Sequence, residues 1–328
     1  MYLTTLPPEQ AIGHILRHNL SGPDGRKAFA KGHRIAAADL PRLSALGLEQ
    51  LRVAVLEPGD VHEDEAARRL AAAVCGPGVL ARPPAASRVN LLAAADGVVR
   101  VDMVALLQIN EIDGLTIATL PSHRLARARQ RVATIKIIPF AVLEEDLARA
   151  EAIGREARAG HRSVIALSPL RQLDVGVILV GSAAARTRIE AGVYPAIEAR
   201  VVALGSRVLA VRYVESEEQV IAETIGELRA AGVHLLIVAG ETSIMDRDDV
   251  TPQGIRLAGG RIEHYGAPVE PGNLLLLGYL DTLPVLGAPG CVRSRDVNIV
   301  DLLLPRLLAG EQITRRDIVE LGHGGLLG

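Results

Sequence analysis

Residues 240–252 read GETSIMDRDDVTP. They follow VHLLIVA at 233–239, a short run rich in Leu, Ile and Val that ends on Gly240 and reads as a buried strand. After the loop, Thr251 is placed to cap a helix whose first residue is Pro252, a position that suits proline. The stretch is therefore strand, polar loop, helix. In open α/β sheets, ligands sit beyond the carboxyl ends of such strands. The loop carries Glu241, Thr242, Ser243, Asp246, Asp248 and Asp249, with Arg247 among them. Hydroxyls, backbone amides and a helix N-terminus suit a phosphate. Four carboxylates beside them would repel it unless a hard cation such as Mg²⁺ lies between. A solvated acidic loop with capping residues is the plainer alternative.

Working outward, the same alternation recurs on both sides. Residues 175–180 and 207–213 read as strands, and 186–204 and 217–229 as helices. In the first helix Pro195 marks either a kink or the true start. Three strands with two intervening helices predict a parallel sheet with right-handed crossovers. Further on, 252–258 reads as a helix, 261–265, 274–278 and 284–286 as strands, and 297–308 as a closing helix. The last residues, 311–328, read as a flexible tail. Two more glycine turns fall in this half, VEPGN at 269–273 and GAPG at 287–290. Glycine lets a ligand approach backbone amides closely, although ordinary turn chemistry explains each alone. Cys291 follows the second turn, where a helix start could lower a thiol pKa; an inert packed Cys is the competing reading.

The first half is less regular. Residues 8–19 place Ile12, Ile15 and Leu16 at helical spacing, with His14 and His18 four apart. No third ligand accompanies the two histidines, so polar helix-face histidines are the better reading. Residues 63–74 form a strong helix with acids at its start, and 51–56, 115–120 and 133–142 read as strands. Lys136, alone among apolar residues, fits the solvent face of an edge strand. The expected fold class is α/β: a C-terminal, mostly parallel β-sheet with helices on both faces, preceded by an α+β N-terminal region. The expected boundaries are 1–168, of one or two subdomains, then 172–310, then the tail at 311–328.

Composition narrows the function. With 328 residues and 23% charged residues the chain is globular and has ample core. A net charge of −2 and 2% aromatics argue against nucleic acid or an anionic membrane as partner. Two cysteines make neither a disulfide framework nor a zinc cluster. No signal-peptide pattern or membrane-length apolar run is evident, so a cytoplasmic location is expected.

The strand and GETSIMDRDDVTP loop, VEPGN at 269–273 and GAPG at 287–290 together resemble the molybdopterin-binding domain shared by molybdopterin adenylyltransferases and molybdopterin molybdenumtransferases. The first half, through KGHRIAAADL, SRVNLLAAADGVVRVD and ATIKIIPFAV, resembles a stand-alone two-part subfamily of the molybdenumtransferases. The resemblance implies molybdopterin or adenylylated molybdopterin as ligand, with molybdate and Mg²⁺. The implied activity is molybdate insertion with AMP release; a non-catalytic cofactor carrier and an adenylyltransferase are the alternatives. It further implies a homo-oligomer, and a cofactor nucleotidyltransferase or apo-molybdoenzyme as partner. Asp249, in Asp249-Val250-Thr251-Pro252, inherits the role of the essential carboxylate. Asp246 or Asp248 assists it, and Asp246 and Asp249 would hold the metal. Gly181, Ser182, Gly240, Glu241, Thr242, Ser243, Thr251, Pro271, Gly272, Asn273, Pro289 and Gly290 would line the pterin and phosphate site. The sequence departs from the family pattern at Glu241, where a second glycine is usual; a carboxylate there narrows backbone approach and adds charge.

Overall fold

A computed structural model describes residues 1–241 and 244–327; Thr242 and Ser243 lie outside the described residues. The chain divides into two units, Met1–Ser168 and Pro169–Gly328.

In the first unit, the helix Glu63–Val74 covers a four-stranded sheet ordered Leu115–Thr119, Arg131–Ile137, Arg88–Ala93, Val79–Ala81. Alternate residues of the central strands, Val89, Leu91, Ile135 and Ile137, point into a core with Leu70 and Leu147. Each such side chain, fully buried, contributes about 1.5–3 kcal/mol. Lys136 therefore lies on an interior strand and not on an edge. Its Nζ donates to the Ala86 carbonyl at 2.9 Å and to Ser87 Oγ. Ala86 and Ser87 both have left-handed backbones (φ 49° and 62°), so the ammonium secures a tight turn beside the sheet. The helix expected at 8–19 does not form. Gly13, at φ 87°, reverses the chain, and Ile15–Leu16 pairs as a short strand with Leu51–Val55. His14 and His18 consequently share no helix face.

The second unit contains strands β1 (Asp174–Val180), β2 (Arg207–Val214), β3 (Leu235–Gly240), β4 (Arg261–Tyr265), β5 (Leu276–Leu280) and β6 (Leu283–Gly287). Its helices are α1 (Arg186–Gly192), α2 (Tyr194–Ala203), α3 (Glu218–Ala230), α4 (Val250–Leu257), α5 (Ile299–Leu308) and α6 (Arg315–Glu320). The six strands form one sheet in the order β2-β1-β3-β6-β5-β4. Strands β2, β1, β3 and β6 are parallel, and β5 runs against both of its neighbours. Along β1, Val177 and Leu179 enter the core under α1, α2 and α5, while Ile178 and Val180 enter the core under α3 and α4. Burial on both faces is why such strands read as unbroken apolar runs.

Three local readings are corrected. Residues 186–204 make two helices where one was expected, and Pro195 stands in the first turn of α2, as its alternative reading as a helix start had it. Helix α4 begins at Val250, so Asp249 is its N-cap and Pro252 stands third. Proline is tolerated there because the first four amides of a helix lack internal acceptors. Finally, the stretch expected as a flexible tail carries a helix, Arg315–Glu320, among its described residues. Thr314 caps α6 through Asp317, and Ile313 and Ile318 are fully buried. Among the described residues no helix is long and apolar enough to cross a membrane.

Candidate functional site

The chain leaves β1 toward β2 on one side and later returns to β3 on the other. The connections after β1 and β3 thus diverge, and a crevice opens at the carboxyl ends between them. Register places Val180 opposite Gly240 and Gly287 opposite Val238, so all three strands stop along one edge. The crevice holds about 240 Å³ and is walled by Arg188 and Val193, by Gly240 and Glu241, and by Pro289, Gly290 and Arg293. That volume is below the ~300–1,000 Å³ usual for a whole small-molecule ligand, so it accommodates part of one.

Gly181 and Ser182 leave β1 at the rim. Gly181 is dictated by packing: a Cβ there would meet Tyr213 Oη at 2.6 Å and Ile189 Cδ1 at 2.7 Å. Tyr213 Oη donates to the Ser182 carbonyl at 2.7 Å. Glu241 extends β3 by donating its amide to the Val180 carbonyl at 2.8 Å. Its carboxylate accepts from the Ser182 amide at 3.2 Å, from Ser182 Oγ at 3.0 Å and from Arg188 Nη2 at 2.8 Å. The Ser182 amide and hydroxyl, with Arg188, hold this carboxyl below its ordinary pKa.

The turn carrying Pro289 and Gly290 is fixed by Arg200. This guanidinium donates to the carbonyls of Val292 (2.9 Å) and Ser294 (2.9 Å) and to Asp301 Oδ1 (2.9 Å). It joins the turn to the first turn of α5. Arg188, Arg200 and Arg293 were all missed in sequence. Arg200 lies between buried Ile197 and Val201, and an arginine on the apolar side of a helix is the signal that was available. Cys291 is half-buried, and burial pushes its thiol pKa up, which agrees with the packed, inert Cys and not with a lowered thiol pKa.

The acidic loop turns inward on itself. Asp249 Oδ2 accepts from the amides of Met245 (2.6 Å) and Asp246 (2.9 Å). Asp246 Oδ1 accepts from the Asp248 amide at 2.9 Å, and Asp248 Oδ1 accepts from Gln253 Nε2 at 3.0 Å. Tyr265 at the end of β4 donates to the Met245 carbonyl. None of the three aspartates lines the crevice. Among the described residues no group of three His, Cys, Asp or Glu side chains could hold a metal ion. Mg²⁺ is usually held by one or two carboxylates together with a substrate's phosphates, so no step is assigned to that ion from these residues alone.

Pro271, Gly272 and Asn273 also lie outside the crevice lining. The Pro271 carbonyl accepts from the Ile299 amide at 3.2 Å. Gly272, at φ 130°, approaches α5 so closely that a Cβ would lie 2.4 Å from Ile299 Cγ2. Thr251 is half-buried in the first turn of α4. Gly240, Glu241, Pro289 and Gly290 therefore converge on the crevice, Gly181 and Ser182 border it, and the aspartates and VEPGN turn form adjacent structures.

A mostly parallel α/β sheet with a crevice where strand order reverses defines a class of ligand-binding domains. Residues 176–309 match the family described as "Probable molybdopterin binding domain". The second unit carries a domain of that family. Residues 5–55 match a family described as a domain of unknown function. Among solved structures, the molybdopterin biosynthesis enzyme MoaB from Thermus thermophilus is 18% identical, covering 43% of this chain and 98% of that one, with a TM-score of 0.32. The molybdopterin biosynthesis Mog protein from Mycobacterium ulcerans is 18% identical, covering 41% and 92%, with a TM-score of 0.26. The molybdopterin biosynthesis moeA protein from Pyrococcus horikoshii is 11% identical, covering 97% and 75%, with a TM-score of 0.27. A search of curated proteins gave no match.

Proposed function

We propose that the second unit binds molybdopterin at this crevice and that the chain inserts molybdate into adenylylated molybdopterin, releasing AMP. The observation that carries the reading is the convergence of Gly240, Glu241, Pro289 and Gly290 on the switch-point crevice within residues 176–309. Backbone amides on glycine turns approach phosphates closely, and Arg188 and Arg293 add positive charge beside them. On this proposal Arg188 and Arg293 orient the anionic part of the ligand. Asp249 organises the adjoining loop through two amides, and on this proposal it and Asp246 or Asp248 act on the phosphate once a ligand that extends past the crevice reaches the loop. Molybdate enters as substrate, a water oxygen attacks the AMP phosphorus as the phosphoanhydride bond breaks, and AMP leaves carrying that oxygen while the pterin keeps its own phosphate. A homo-oligomer acting with a cofactor nucleotidyltransferase or an apo-molybdoenzyme completes the proposal.

A second reading, a carrier that holds the cofactor without turnover, is favoured by one observation. The acidic side chains of the loop are tied to each other's backbone and do not converge on the crevice. The test is AMP release from adenylylated molybdopterin by the full chain, with and without molybdate. Molybdate-dependent AMP supports insertion, and Asp249→Ala should then retain pterin while losing turnover. Pterin retained with no AMP released contradicts insertion and supports the carrier.

A further inference from the structure

We infer that Glu241 is a built-in occupant of an oxyanion subsite at the crevice mouth, and that a ligand's oxyanion must displace it. Three donors of different kinds converge there: the Ser182 amide, the Ser182 hydroxyl and the Arg188 guanidinium. Such a set suits two oxygens of a tetrahedral oxyanion. Ser182 is held from behind by Tyr213, which donates to its carbonyl, and the backbone of Glu241 is tied to Val180. The Glu241 carboxylate lies where the oxygens of a ligand would lie. Its side chain is 32% exposed and that of Arg188 66%, so exchange with a ligand needs only a side-chain rotation.

The ligand class is a phosphate group or another tetrahedral dianion, molybdate included. Glu241 and such an anion cannot share the donors, because like charges at contact repel. The tethered carboxylate competes at a high effective concentration. If it occupies the donors in nine of ten molecules, the apparent dissociation constant is raised about tenfold. Glu241 thus sets a threshold: weak single anions are refused, and a ligand with further contacts in the crevice is admitted.

The inference rests on the molybdopterin reading only for the identity of the natural ligand, and its test needs no pterin. Pyrophosphate and molybdate would each be titrated calorimetrically onto the full chain near neutral pH. The variants are Glu241→Ala, Glu241→Gln and Arg188→Ala/Glu241→Ala. Glu241→Ala should bind one of the two anions about tenfold more tightly than wild type or better. Glu241→Gln should gain less, because it keeps a hydrogen-bonding group on Ser182, and the double variant should lose the gain. Preference for pyrophosphate assigns the subsite to a ligand phosphate; preference for molybdate assigns it to the metal oxyanion. Equal affinity in wild type and a folded Glu241→Ala variant overturns the inference, as does a gain that survives loss of Arg188. A gain without pterin retention leaves Glu241 as occupant and removes the pterin reading. Pterin retention without a gain does the reverse.

Discussion

Gly181→Ala probes how the crevice rim is built. The added Cβ would meet Tyr213 Oη at 2.6 Å and Ile189 Cδ1 at 2.7 Å. Both lie inside van der Waals contact, and neither is free to move: Tyr213 is bonded to the Ser182 carbonyl and Ile189 is 3% exposed. Overpacking of this kind costs about 1–3 kcal/mol. In a unit of this size it should lower Tm by about 2–12 °C. Tyr213→Phe removes the hydroxyl and its hydrogen bond, at about 0.5–1.5 kcal/mol. In the double variant the oxygen clash is gone, and the Ile189 contact and the looser approach to Glu241 Cβ at 3.3 Å remain. The double variant should therefore be more stable than the sum of the singles by about 0.5–1 kcal/mol or more. Urea unfolding followed by tyrosine fluorescence suits the purpose, because Tyr194, Tyr213, Tyr265 and Tyr279 all fall in the second unit and the chain has no Trp. Costs that add within about 0.3 kcal/mol, or a neutral Gly181→Ala, would mean that the Tyr213 hydroxyl does not set the space at Gly181.

Three other outcomes are expected. Arg306→Ala removes the buried cation shared by Glu311 (2.6 Å) and Asp317 (2.9 Å), and should cost about 3–5 kcal/mol in urea unfolding. Asp249→Ala removes the acceptor of the Met245 and Asp246 amides; at about 1–2 kcal/mol, their hydrogen exchange should speed up by about 5–30-fold. Burial raises the pKa of Glu63 in the folded chain, so its contribution is fully present below the ordinary glutamate pKa and is lost as pH rises through the raised value. Stability measured by urea across that window should fall with rising pH in wild type, and Glu63→Gln should flatten the fall.

Where burial is symmetric, the fold was legible. Both faces of β1 and β3 are covered, so their apolar runs stand out without knowledge of their neighbours. The glycine turns were legible because so few residues suit them. Gly272 illustrates the limit. Its role is to let the loop approach Ile299, 27 positions away, and spacing cannot show that meeting. The same holds for Arg200, whose partners Val292, Ser294 and Asp301 come from a distant turn and helix. The aspartates of 246–249 were legible as a polar loop. That they spend their oxygens on local amides depends on φ and ψ values that composition does not encode. Lys136 was misplaced because an edge strand and an interior strand have the same alternation, and only pairing distinguishes them.

On the proposed reading molybdopterin binds in the crevice between the ends of β1, β3 and β6. Gly192 offers a direct test. It lines the crevice, and a Cβ there would meet nothing within 4 Å, so a large side chain obstructs the space without unfolding the helix. Wild type and Gly192→Trp would be loaded with molybdopterin, passed through gel filtration, and the retained pterin quantified by fluorescence after oxidation. Pterin should be retained by wild type and lost in a folded Gly192→Trp variant. Equal retention by the two proteins would place the ligand elsewhere and contradict it.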